Sequence, residues 1–291
     1  MFSNNRFVFF LMFLAMITWG IAWTSAKIVN EYLEYNNLVF LRFFVGFLCM
    51  IPFLYHKKLC LSNISFSTLI NIFLTSFLFF LYNQCFFIGT DIGKSGMGGV
   101  FVTSTNPVIT FFIVSIISKK FSFINMFFIG IGAFGGFLIL DVFNQGFDSF
   151  LSAGNRYFIL CSIFWGILTI FVSSGQKKID SIWYIALCYL VTSFISLFFI
   201  NPTEILDFSV YDMRFFLNFF FVCSAMSFGT SIYIIVSHKI GPVSASTFIF
   251  LVPFIAMATA YIFIDEPLSI NIIIGGLLGV FSTYLINYVR A

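Results

Sequence analysis

Long apolar runs separated by short polar breaks dominate this chain, and ten of them approach the length of a bilayer crossing. They cover roughly 8–28, 37–55, 67–88, 97–117, 123–142, 156–173, 182–200, 214–236, 243–264 and 269–289. About 20 mainly apolar residues span the hydrocarbon core as a helix, so the pattern predicts ten transmembrane helices. The first run follows Arg6 and has the outline of a secretion leader. Its Trp19-Gly20 pair recurs deep in the chain at Trp165-Gly166, which a cleaved leader would not need, so it is read as a mature helix.

That recurrence is one of several. Pro107 and Pro253, Gly130 and Gly276, and the two Trp-Gly pairs are all separated by 146 residues in a chain of 291. One shift without gaps aligns them all, which predicts an internal duplication. Residues 1–143 form the first five-helix repeat, 144–155 an external linker and 156–291 the second repeat. Because five is odd, the second copy must enter the membrane from the opposite side. Inverted halves enclosing a central cavity are a common plan of secondary transporters, since the halves can exchange conformations.

Composition sharpens the class. A mean hydropathy of +1.06, with 60% hydrophobic and 9% charged residues, excludes an ordinary soluble domain and makes the lipid bilayer the obligatory partner. A net charge of +3 without a basic domain leaves no footprint for nucleic acid. The six Cys are dispersed without zinc-ligand spacing, so no metal or cofactor is implied. Lys and Arg set orientation. With the N-terminus inside, cytoplasmic segments hold Arg6, Lys57, Lys58, Lys119, Lys120, Lys177, Lys178, Lys239 and Arg290, against Lys27, Lys94, Arg156 and Arg214 outside. Both termini are therefore placed in the cytoplasm. A monomer can carry the whole plan.

Polar residues inside the runs mark candidate chemistry, because hydrocarbon tolerates them mainly when they face protein or a water-filled cavity. Gly96, Gly99, Thr103, Asn106 and Thr110 share one face of the fourth helix, where Pro107 frees a carbonyl. The glycines suit a packing seam, and Asn106 fits a seam or a cavity equally. Met226, Thr230 and Tyr233 form a stripe on the eighth helix, and Tyr82 and Asn83 lie on the third. The two Tyr could equally bond a neighbouring helix. Trp19 and Trp165 read either as interfacial anchors or as cavity-lining groups beside flexible Gly20 and Gly166. Arg42 is the only basic residue well inside a run, about 7–8 Å from the Asn37 end at 1.5 Å per residue. That reach favours a structural anchor that snorkels towards Glu31 or Glu34. No Asp or Glu lies near the centre of a run, so a carboxylate proton relay is not visible, and His56 and His238 sit at cytoplasmic ends.

Two motifs mislead. Gly130-Ile-Gly132-Ala-Phe-Gly135 matches the dinucleotide fingerprint in letters, yet lies inside an apolar run without the strand that fingerprint requires. Gly132 and Gly136, like Gly275 and Gly279, have the spacing of close helix contacts instead. Gly93-Lys94-Ser95 is preceded by Gly89 with one residue too few between the glycines for a phosphate loop.

In layout the chain resembles the drug/metabolite transporter superfamily, specifically its EamA branch. The resemblance rests on the two Trp-Gly pairs, Arg42-Phe43, Pro107 and Pro253, and Glu266-Pro267 followed by Gly275-Gly276. It departs where Lys120-Phe121 stands opposite Glu266-Pro267 and Cys188 opposite Arg42, so the Arg and Glu act as unduplicated structural charges. The resemblance implies an all-α membrane protein of ten helices around a central cavity. It points to Trp19, Tyr82, Asn83, Thr103, Asn106, Trp165, Met226, Thr230, Tyr233 and Thr247 as substrate-binding residues. Gly20, Gly166, Pro107 and Pro253 would be hinge or gating positions. The function expected is alternating-access transport of a small organic metabolite, amino-acid-like and moved outward, across the cytoplasmic membrane. Riboflavin, a nucleoside derivative such as S-adenosylmethionine or a cationic drug is the alternative cargo on the same fold. An integral-membrane enzyme lacks the clustered catalytic groups it would need, and a scaffold would not need a polar chamber.

Overall fold

The computed structural model describes residues 5–55, 64–119, 123–146, 148, 151–240 and 248–290. His56, Lys57, Lys58, Lys120, Phe121, Gly241, Pro242 and Thr247 lie outside these. Among the described residues regular structure is helical throughout. The first half contributes α1 (Asn5–Val29), α2 (Tyr35–Tyr55), α3 (Phe66–Ile92), α4 (Ser95–Ser118) and α5 (Phe123–Ile139). The second contributes α6 (Ala153–Gly175), α7 (Ser181–Ser196), α8, α9 (Val252–Ile264) and α10 (Ile270–Arg290). Helix α8 is composite: Met213–Ser224, a π-helical turn Ala225–Thr230 and Ser231–Ile240. Among the described residues seven helices are long and apolar enough to cross a membrane, and the shorter apolar stretches Met126–Ile139, Val252–Ile264 and Ile270–Leu285 fall in α5, α9 and α10.

Large apolar side chains cover the outside as well as the inside. Phe66, Phe123, Phe198 and Met213 are exposed, while Phe43, Phe79, Phe87 and Phe158 are buried. Such a surface is stable against lipid and not against water. Buried polar groups are paired across helices: Thr75 and Tyr184 share a 2.7 Å hydrogen bond, Tyr184 donates to Asn71 at 2.8 Å, and Tyr189 donates to the Met226 carbonyl at 2.8 Å.

Packing alternates between the halves. Helix α3 lies on α6 and α1 on α8; α4 lies on α6 and α1 on α9. The contacts are reciprocal at residue level. A side chain at Gly20 would strike Ile255 at 2.5 Å, and one at Gly166 would meet Ile109 at 3.1 Å. Adding 146 to 20 and to 109 gives 166 and 255, so each contact is the other's counterpart in the opposite half. The two left-handed helix C-caps, Lys119 and Asp265, both with φ 52°, obey the same offset. Helix α10 closes on α5 backbone to backbone, where Gly135 and Gly275 each leave no room for a Cβ. Of the fingerprint-like glycines, Gly132 and Gly135 thus lie in a helix seam, whereas Gly130 faces open space.

The prolines differ from their expected equivalence. Pro107 lies inside α4, whereas Pro253 falls in the first turn of α9, where no intrahelical partner awaits its missing N–H. Of this pair, Pro107 alone lies within a continuous helix.

One end of the bundle is stitched across the halves by carboxylates. Glu204 accepts from the Glu34 N–H at 2.8 Å and from Asn37 Nδ2 at 2.6 Å, capping the start of α2. Glu266 accepts from the N–H groups of Ser95 at 2.6 Å and Gly96 at 2.8 Å, capping α4. Arg214 pairs with Glu31 at 2.7 Å, and Tyr32 donates to Asp212 at 3.1 Å. The Asp212 carboxyl, bonded chiefly by the Phe215 N–H, is held below its ordinary range. Helix N-termini present unpaired N–H groups and a partial positive charge, so an acid from the opposite half is a natural clasp.

Candidate functional site

A narrow chamber with about 50 Å³ of accessible space opens between the halves. Its wall includes Trp19, Tyr82, Thr103, Asn106, Trp165, Met226 and Thr230 from the expected set. Two described residues of that set are not in the wall. Asn83 lies fully buried behind it, Tyr233 backs the Trp19 ring at 5.1 Å between centroids, and Thr247 is outside the described residues. Trp23, Phe86, Ala22, Ala225, Ile249 and Arg42 complete the wall.

The two duplicated tryptophans meet. Their rings stand edge to face, 5.6 Å apart at 88°, a favoured aromatic arrangement. Tyr82 continues the row against Trp165 at 5.0 Å. The Trp19 indole N–H donates to the Ala225 carbonyl at 3.0 Å and approaches Thr230 Oγ1 at 3.3 Å. Thr230 Oγ1 donates to the same carbonyl at 3.1 Å. These atoms belong to the π turn of α8, a local widening that often accompanies functional sites. Gly229 lets it approach closely, because a Cβ there would sit 2.8 Å from the Trp19 ring. Both tryptophans are thus ring-packed at the chamber.

Helix α4 supplies the polar wall. Thr103 returns its hydroxyl to the Gly99 carbonyl at 2.6 Å. Asn106 is 8% exposed, and its Oδ1 is buried without a partner among the described residues. Gly96 packs against Ala260 and Glu266, and Gly99 against Ala256 and Trp23, so the glycines are a seam.

Arg42 is placed differently from its sequence expectation. Its side chain is 5% exposed and turns inward. Nε donates to the Val222 carbonyl at 3.1 Å and Nη1 to Asn83 Oδ1 at 2.7 Å, with the guanidinium over the Phe86 ring at 4.9 Å. Glu31 is taken by Arg214, and Glu34 Oε1 accepts from Asn36. Snorkelling fails because inward turning supplies two acceptors and an aromatic face that the membrane edge would not. Distance along one helix could not show this, since Val222 is 180 residues away. Glu266 does occupy a structural position, as the cap of α4.

The EamA-like transporter family matches the chain twice, over residues 6–141 and 152–288. The chain belongs to the EamA-like transporter family. The double match makes each half one copy of the family unit, and membership makes this a membrane protein of the drug/metabolite transporter superfamily. No curated protein matches. A solved crystal structure has a similar fold, with a TM-score of 0.65 at 14% identity over 97% of this chain and 96% of that one. Among the described residues no group of His, Cys, Asp or Glu could hold a metal ion.

Proposed function

We propose that this member moves a small organic metabolite, amino-acid-like in chemistry, outward across the cytoplasmic membrane by alternating access. The carrying observation is the meeting of Trp19 with Trp165 in the wall of the chamber. Two equivalent residues in contact must lie near the axis that relates their units, and the reciprocal Gly20–Ile255 and Gly166–Ile109 contacts support the same axis. In inverted halves that axis lies in the membrane plane, and the chamber sits at its centre. Substrate at that point is reached from either side as one half rocks against the other.

Orientation follows the positive-inside bias, with both termini cytoplasmic. The carboxylate clasps at Glu31, Glu34, Ser95 and Gly96 then lie on the external side. A row of rings also favours a second cargo class, flat heterocycles such as a nucleoside derivative or flavin, because they would stack on Trp and Tyr faces.

A thermal-shift screen of the purified protein with amino acids, nucleosides and flavins, followed by flux in proteoliposomes, tests this reading. Stabilisation by a compound that is then carried supports it. Binding without flux of any stabilising compound would remove transport from the proposal.

A further inference from the structure

We propose that Arg42 receives the carboxylate of the cargo while Asn106 receives one of its N–H groups. The chamber then selects a carboxylate-bearing molecule with an N–H donor and an apolar or aromatic part. This rests on the transporter reading above.

The first observation is charge. Arg42 is in the chamber wall and 5% exposed, and its two hydrogen bonds go to neutral acceptors, the Val222 carbonyl and Asn83. No carboxylate among the described residues pairs with it: Glu31 holds Arg214, Glu204 caps α2 and Glu266 caps α4. A guanidinium has five N–H donors, so three remain after these two bonds. Neutral acceptors satisfy geometry but leave a net charge in a low-dielectric interior, which is retained in membrane proteins mainly where it has a task. A carboxylate matches both the charge and the fork of the remaining donors.

The second observation is independent. Asn106 Oδ1 is a buried acceptor with no partner among the described residues, in the same wall but on another helix. An unfilled buried acceptor is rare and destabilising unless something fills it. The complement of a cation and a lone acceptor is an acid that also carries an N–H, as in an α-amino acid. The rings of Trp19, Trp165 and Tyr82 would take its side chain.

A competing role for Arg42 is a strap joining α2, α3 and α8. A strap would influence stability without any preference for acids. Four probes separate the two: phenylalanine, phenylalaninamide, 2-phenylethylamine and 3-phenylpropionate, titrated into the full chain in lipid nanodiscs and supplied to proteoliposomes. The expected order is phenylalanine first, with the amide and the amine weaker by about a hundredfold because the Arg42 fork is left unmatched. Phenylpropionate, lacking the N–H, falls between. Arg42→Gln should erase the preference for acid over amide, and Arg42→Lys should retain its sign at lower affinity. The wild-type comparison alone suffices if the variants do not fold. Amide or amine binding as tightly as the acid would overturn the Arg42 assignment and leave transport standing. Failure of all four to bind or be carried would overturn the cargo class, and the broader metabolite screen would then decide transport separately.

Discussion

At the Asn106 position a polar side chain faces the chamber and forms no side-chain bond among the described residues that its removal would break. Asn106→Ala should therefore change the melting temperature little, less than the shift expected for about 1 kcal/mol, while lowering flux at least about tenfold. Parallel melting and flux measurements separate the two effects, and unaltered flux would take Asn106 out of the site. Trp19 should behave in the opposite way. Its indole N–H serves the Ala225 carbonyl within the π turn, so Trp19→Phe should destabilise the fold by about 1 kcal/mol in addition to weakening cargo binding. Residue types and a 146-residue echo made Trp19 and Asn106 visible in the sequence. Arg42 was visible only as an oddity, because its acceptors come from α3 and α8 and no local pattern links those positions to it.

Helices show the same division between what is local and what is assembled. Hydrophobic runs mark nearly every helix, since length and apolar content are properties of a single segment. What finishes α2 and α4 is not local. The start of α4 has no side-chain cap of its own and is bonded by Glu266, 171 residues further on, and α2 depends on Glu204 in the same way. Glu266→Ala should leave two N–H groups at the α4 start unpaired and destabilise the protein by about 1–2 kcal/mol. Glu266→Gln should recover part of that, because one acceptor oxygen remains. A thermal melt of the three forms checks this, and equal stability of the Ala variant would deny the clasp any structural weight. The π turn of α8 is likewise absent from any hydrophobic pattern. It depends on Gly229 giving way to Trp19 from the opposite half.

At the scale of the whole molecule, the proposed rocking of the halves would require the clasped end to come apart in each cycle. Glu31 and Arg214 form an exposed pair across the halves, with side chains half accessible, so their intrinsic contribution is within about 1 kcal/mol. Such weakness suits a contact that must be broken repeatedly. Cysteines in place of both residues, joined by a short cleavable bifunctional reagent, should stop flux while leaving cargo binding at the distant chamber within about threefold of the unlinked form. Reduction of the linker should restore flux. The lock and the chamber lie in different parts of the bundle, so loss of transport with retained binding isolates the motion from the site. Full flux with the linker in place would mean that this end never opens, and the alternating-access reading would fall even if the chamber binds its cargo.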